Sequence, residues 1–154
     1  MANAASVTIS ATILPDEIAK TISGSMTVTP ADADDKWYYK LTSVPHNTGG
    51  VDLIQGSFLS PETTGTAHDA VSTSDKVKFL FVKNTHADEY LVISIIAGTA
   101  AFNLADTIWV GPGESWFGRL PNTVVSSIHA ISSDVADAGE AAVEVVVAAL
   151  IEDV

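Results

Sequence analysis

The feature that most constrains this chain is a two-residue alternation of apolar and polar side chains, broken by Pro or Gly roughly every 8–12 residues. The clearest case is residues 76–83, in which Val77, Phe79 and Phe81 share one face. Because successive side chains of a strand point to opposite faces, this spacing predicts a half-buried strand. The pattern recurs along the chain without a strand–helix–strand rhythm, which predicts an all-β protein.

The recurrence of this pattern predicts the architecture as well as the class. Strands at this spacing predict an all-β sandwich or barrel, and we expect an antiparallel β-sandwich, jelly-roll-like, in one domain over residues 1–154 with a flexible N-terminal arm at residues 1–6. The last strand also fits a helical stripe, but its consecutive valines favour a strand, since β-branched side chains lose χ1 freedom in a helix. About ten short strands are expected, at residues 6–14, 21–29, 36–44, 51–59, 76–83, 90–96, 102–110, 114–120, 124–132 and 141–151.

Two connections have recognisable turn chemistry. Residues 84–88 predict a loop of about five residues that joins its flanking strands into an antiparallel hairpin. The sequence Gly111-Pro112-Gly113 predicts a type II turn, with Pro at its second position and Gly at its third. A strand returning from that turn would place Trp109 and Trp116 on one hairpin.

The chain is acidic because basic residues are scarce. Its 154 residues include 7 Lys and Arg against 19 Asp and Glu, for a net charge of −12, while charged residues make up only 17%. Nucleic acids and anionic membrane surfaces both require clustered cations, so we expect neither partner. The chain has no Cys, which excludes disulfides, thiol catalysis and Cys-based metal sites.

The sequence lacks the residue patterns of a catalytic site, so we predict a protein that is not an enzyme and needs no cofactor or metal. The histidines His46, His68, His86 and His129 each lie alone, without the spacing of metal ligands. Residues 111–122 are similar to the second cupin motif but lack its histidine. A cupin-like enzyme is therefore the third choice among the functions considered.

Aromatic residues provide the candidate interface. The run Trp37-Tyr38-Tyr39 places Trp37 and Tyr39 on one face and Tyr38 on the other. Aromatic side chains on strands mostly fill the core, so we expect Trp37, Tyr39 and one of Trp116 and Phe117 inside. Outward aromatics suit a protein contact or a sugar-stacking platform. The interface candidates are Tyr38, Trp109, Trp116 and Phe117.

The segment from residue 76 to residue 121 resembles small virion structural proteins of tailed bacteriophages. In those proteins a strand ending in Lys-Asn precedes a hairpin, and a later strand carries Pro-Gly-Glu before an aromatic return. The leader at residues 1–6 and the composition rich in Ala, Thr, Ser, Val and Gly are also similar to phage head proteins. The matching residues here are Lys83-Asn84, Pro112-Gly113-Glu114 and Trp116-Phe117.

The resemblance implies a capsid decoration, or cement, protein. Such a protein binds the major capsid protein and stabilises the capsid lattice as a homo-oligomer, with a trimer favoured. It would be made in the host cytoplasm and reside on the capsid surface of the virion. The alternative is a carbohydrate-binding or host-adhesion β-sandwich module. Polar faces with few long charged side chains lose little rotamer entropy in an interface, so we expect the acids to lie away from the subunit contact.

Overall fold

A computed structural model of the chain describes residues 4–13, 20–46, 49–59, 69–95, 107–132 and 142–154. It divides into two compact units, Met1–Ala33 and Asp34–Val154. The sequence predicts one sandwich domain over the whole chain, whereas the sandwich occupies the second unit. The first unit is a two-stranded hairpin, which includes residues 5 and 6 of the predicted arm.

The described strands all pair antiparallel, which confirms the predicted all-β class. Within the described ranges, the one helical element is a 3-10 turn at Val125–Ser127. The valine-rich C-terminal segment is a strand, as predicted. The strands are β1 (Ala5–Ile13), β2 (Lys20–Val28), β3 (Asp35–Val44), β4 (Val51–Asp52), β5 (Lys76–Asn84), β6 (Leu91–Ser94), β7 (Ile108–Val110), β8 (Ser115–Val124), β9 (His129–Ser132) and β10 (Val143–Glu152).

The second unit has the strand order of a jelly roll. Its two sheets are ordered β3-β10-β5-β8 and β4-β9-β6-β7. The strands of this unit pair from its two ends inward, as in a long hairpin rolled into two layers. The pairs are β3 with β10, β4 with β9, β5 with β8 and β6 with β7. This double-sheet arrangement confirms the jelly-roll-like sandwich expected from the strand spacing.

The two predicted hairpins are wrong. β5 pairs with β10 and β8, whereas β6 pairs with β9 and β7, so the chain crosses between sheets after β5. It crosses again between β7 and β8. Alternation specifies which side chains are buried but not which strand is the partner. Both connections are therefore arches that join the two layers.

The core consists of the inward side chains of both sheets. β5 contributes Leu80 and Val82, and β6 contributes Leu91 and Ile93, all fully buried in one cluster. Complete burial of such a side chain stabilises the fold by about 1.5–3 kcal/mol. β10 supplies every second residue to the same cluster: Val143, Val145, Val147, Ala149 and Ile151.

The burial phase predicted for β3 is wrong. Tyr38 is 1% exposed, while Tyr39 is 58% and Leu41 57% exposed. The interface candidate Tyr38 is therefore a core residue, and Tyr39 lies outside. The reason is that Tyr38 finds polar partners inside: its hydroxyl donates to the carbonyl oxygen of Gln55 at 2.8 Å and accepts from the Gln55 N–H at 3.1 Å.

Two lysines join the neighbouring strands β3, β10 and β5 by charge. Lys78 lies 2.6 Å from Asp35 and 3.0 Å from Glu152. The Asp35 side chain is buried, and a buried carboxylate is destabilising unless it is paired. The hydrogen bond to Asp35 raises the pKa of Lys78. Lys36 makes an equivalent contact with Asp153 near the end of the chain.

The buried phenol of Tyr38 generates a pH-dependent prediction. Burial raises the pKa of Tyr38 above its ordinary value of 10.0. The folded state then keeps a proton that the unfolded chain releases, so this contribution to stability is present below pH 10 and lost above it. We expect the free energy of unfolding to fall in alkaline solution, and Tyr38→Phe to lessen that fall.

Urea unfolding from neutral to alkaline pH measures this effect. At pH 7 we expect Tyr38→Phe to cost about 1–2 kcal/mol, because it leaves the backbone of Gln55 without its partner. Tyr39→Phe, which alters an exposed phenol, is the matched control and should change stability by less than about 0.5 kcal/mol at pH 7. An alkaline decline of the same size in wild type and Tyr38→Phe would contradict the prediction.

Candidate functional site

The two arches, residues 85–90 and 111–114, meet at one end of the sandwich. They are neighbours because β5 pairs with β8 in one sheet while β6 pairs with β7 in the other. We call this end the arch site, and it consists of Asn84, His86, Tyr90, Trp109 and Glu114.

Asn84 ties the arches together. It is fully buried at the end of β5. Its side-chain Nδ2 donates to the carbonyl oxygens of Glu89 at 2.7 Å and Val110 at 3.2 Å, and its Oδ1 accepts from the His86 N–H at 2.9 Å. Its own N–H donates to the carbonyl oxygen of Glu114 at 3.0 Å. The side-chain amide thus joins the first arch to the end of β7, and the backbone N–H of the same residue binds the second arch.

His86 closes the first arch by accepting hydrogen bonds. Its Nδ1 receives the backbone N–H groups of Asp88 at 3.2 Å and Glu89 at 2.9 Å. A ring nitrogen that accepts carries no proton, so the proton of the neutral imidazole lies on Nε2. The Nδ1 lone pair is therefore used by the fold.

The second arch is the type II turn that the sequence predicts. The Glu114 N–H donates to the Gly111 carbonyl oxygen at 3.0 Å, and Gly113 has a φ of 70°. The Glu114 carboxylate accepts the Gly111 N–H at 2.9 Å. A Cβ at Gly111 would lie 2.7 Å from that carboxylate, so any larger residue there would displace the Glu114 side chain from this hydrogen bond. The Glu114 side chain, too, is used by the fold.

What the arch site presents outward is an aromatic pair. Tyr90 is 48% and Trp109 50% exposed, and their rings meet edge to face with centroids 6.1 Å apart. Trp109 lies on β7, the outermost strand of its sheet among those described. Because the neighbouring polar groups serve the turns, this aromatic surface is the part of the site available to a partner.

The other interface candidates lie elsewhere. Trp116 is half-buried and packs against the core, in agreement with the expectation that one of Trp116 and Phe117 is inside. Phe117 lies on the opposite face of β8 from Trp116 and is half-buried, paired with Phe81 of β5. Trp109 and Trp116 are in different sheets, so they do not form the predicted two-tryptophan platform.

A second surface was not predicted from the sequence. The side of the first sheet that points away from the core carries three paired rows of mostly apolar residues, which we call the outer apolar face. Its signal in the sequence is that Trp37, Tyr39 and Leu41 follow one another in the same phase of β3. The rows are Leu41, Val146, Lys83 and Ser115; Tyr39, Ala148, Phe81 and Phe117; and Trp37, Leu150, Phe79 and Arg119.

Part of the outer apolar face is closed by its own side chains. Trp37 meets Phe79 edge to face with centroids 6.5 Å apart, and Leu150 lies in register between them and is buried. Tyr39 and Leu41, both on β3, remain more than half exposed. The accessible part of this face is therefore the β3 side.

The histidines and acids do not converge on a cation site where the chain is described. No group of three such side chains that could hold a metal ion occurs among those residues. His129 donates from Nε2 to the carbonyl oxygen of Ser126 at 2.9 Å and lies 3.4 Å from Asp52. His68 falls outside the described residues. Nor is any described segment a helix of the length and hydrophobicity needed to span a bilayer.

Comparison of the chain with protein-family models, with curated proteins and with solved structures finds no match. The arch site and the outer apolar face must therefore be interpreted from their chemistry.

Asn84 generates a prediction for the arch site. Asn84→Ala removes the partners of two carbonyl groups and one N–H, and we expect it to cost about 2–5 kcal/mol, since each buried group left unpaired costs about 1–3 kcal/mol. Asn84→Asp keeps the shape and the acceptor but turns a carboxylate oxygen toward two carbonyls, so it should also destabilise. Urea unfolding measures both, and a loss below about 0.5 kcal/mol in either variant would disprove the bridging role.

Proposed function

We propose that this chain is a non-enzymatic virion structural protein that binds the major capsid protein and stabilises the capsid lattice as an oligomer, with a trimer favoured. The observation that carries the proposal is the outer apolar face, with Tyr39 and Leu41 more than half exposed. Contiguous apolar surface on a soluble protein marks a site of protein contact. The jelly roll is also a fold of viral capsid proteins, although lectins and cupins share it.

The charge of this face supports the same role. The chain carries a net charge of −12, yet the charged residues in the three paired rows are Lys83 and Arg119. No acid occurs within the three rows, although Glu144 and Glu152 occupy the next positions of this phase on β10 at either end, and a contact surface without like charges favours association. Lattice binding needs only such surface area and no reacting group.

The test measures, by co-sedimentation, binding of the protein to purified capsids of the virus to which it is proposed to belong. Light scattering gives its oligomeric state. Tyr39→Ser should weaken binding by at least about tenfold, since burial of an aromatic anchor commonly contributes 1–2 kcal/mol or more. Tyr90→Ser makes the same substitution at a tyrosine of similar exposure in the arch site and should leave capsid binding intact. A strict monomer that does not bind capsids would refute the proposal.

The alternative function is carbohydrate binding, which the exposed pair of Tyr90 and Trp109 favours. Aromatic faces at an exposed edge stack on sugar rings, and carboxylates of residues 88 and 89 lie in the same arch. Under this alternative, a glycan array gives a signal that Trp109→Ala and Tyr90→Ser abolish and Tyr39→Ser does not. If the wild-type protein gives no signal on the array, the carbohydrate-binding alternative is refuted.

A further inference from the structure

The hairpin of β1 and β2 separates its side chains into two faces of opposite chemistry. In its register, Ile9 pairs with Gly24 and Thr8 pairs with Ser25, so neighbouring pairs alternate between faces. One face carries only hydroxyl side chains: Ser6, Thr8, Ser10, Thr21, Ser23, Ser25 and Thr27. The other carries none: Ala5, Val7, Ile9, Ala11, Ile22, Gly24, Met26 and Val28. We call the second the hairpin apolar face.

The centre of the hairpin apolar face is open. Ile9 is 46% and Ile22 52% exposed, and they are diagonal neighbours across the two strands. Between them, a Cβ built on Gly24 would meet no heavy atom of the described chain within 4 Å. A two-stranded sheet is marginally stable in water unless its apolar face is covered. The hairpin apolar face would therefore be stabilised by a partner that covers it.

The charge of the hairpin indicates which partner. Neither strand contains an acid, although the whole chain carries −12. Two copies of so acidic a chain repel each other over most of their surface, and an acid-free patch is where they can meet. The same patch has no cluster of cations to hold a nucleic acid or an anionic membrane.

We propose that the hairpin apolar face is a self-association surface, and that its occupant is the same face of the hairpin of a second copy. Two such faces pack as layers about 10 Å apart and bury Ile9 and Ile22 of both copies. This inference goes beyond the proposed function, because a contact between two identical faces joins copies in two-fold pairs and does not itself form the trimer.

The size of the contact explains where it acts. A hairpin with nine residues in each strand is about 30 Å long and about 10 Å wide, which gives roughly 300 Å² per copy. A stable interface needs about 800 Å² per partner. The hairpin contact is therefore weak in dilute solution and effective where copies are held side by side, as on a capsid lattice.

The test uses the absence of native cysteine in the chain. Ile9→Cys places a single thiol on the hairpin apolar face, and Thr8→Cys places one on the hydroxyl face of the same strand. With a short bis-maleimide at increasing protein concentration, we expect Ile9→Cys to yield covalent dimer at least tenfold more than Thr8→Cys. Equal yields, or no dimer from Ile9→Cys at any concentration, would overturn the inference.

A second measurement guards against misfolding. Ile9→Thr with Ile22→Thr keeps β-branched side chains and should abolish the association that wild type shows in sedimentation at high protein concentration, while Thr8→Ala with Ser23→Ala, the matching diagonal pair, should not. If the threonine variant instead lowers the melting temperature of the sandwich without changing sedimentation, the face is covered within its own chain and the inference fails. Capsid binding without cross-linking refutes only the inference, and cross-linking without capsid binding refutes only the proposed function.

Discussion

The pairing of β10 with both β3 and β5 is the interaction on which the sandwich depends. The last strand of the chain lies in the interior of its sheet, and it meets β3 across a separation of about 100 residues. Without β10, β3 has no ladder partner in that sheet, and five buried side chains leave the core. Because the outer apolar face is assembled from β3, β10, β5 and β8, that surface also forms only when the end of the chain is in place.

The arch site follows from the same rolled topology. Once β5 pairs with β8 and β6 with β7, two crossings between layers must lie side by side at one end. Backbone groups of the crossings leave the ladders there and become buried, where each unpaired group is destabilising. Asn84 satisfies four of these interactions from one position. The aromatic pair of Tyr90, at the end of the first arch, and Trp109, on β7, is exposed beside these crossings.

The sequence predicts the strands and the second turn well, because each depends on local chemistry. Alternation located most strands to within a few residues, and Gly111-Pro112-Gly113 specified the turn through the φ that glycine allows. Partner choice was not predictable in this way. The sequence predicts a hairpin after β5, but the connection is an arch, because pairing with distant strands buries the faces of β5 and β6 better. Nothing in residues 84–88 specifies which strands β5 and β6 pair with. Of the candidate site, Trp109 was identified from its type, whereas the bridging role of Asn84 requires the tertiary structure.

The error in the phase of β3 is itself informative about function. Of its two faces, the one with Trp37, Tyr39 and Leu41 is the more apolar, yet the fold buries the face with Tyr38 and Thr42. Because Tyr39 is 58% and Leu41 57% exposed, each forgoes roughly half of the 1.5–3 kcal/mol that full burial of such a side chain contributes. A second layer over β3 would recover that free energy by covering the exposed pair. The apolar face of β3 and that of the hairpin share this property, since each strand has a partner while apolar side chains remain exposed. Such surfaces become more stable on contact, which is the physical requirement of the adhesive role proposed above.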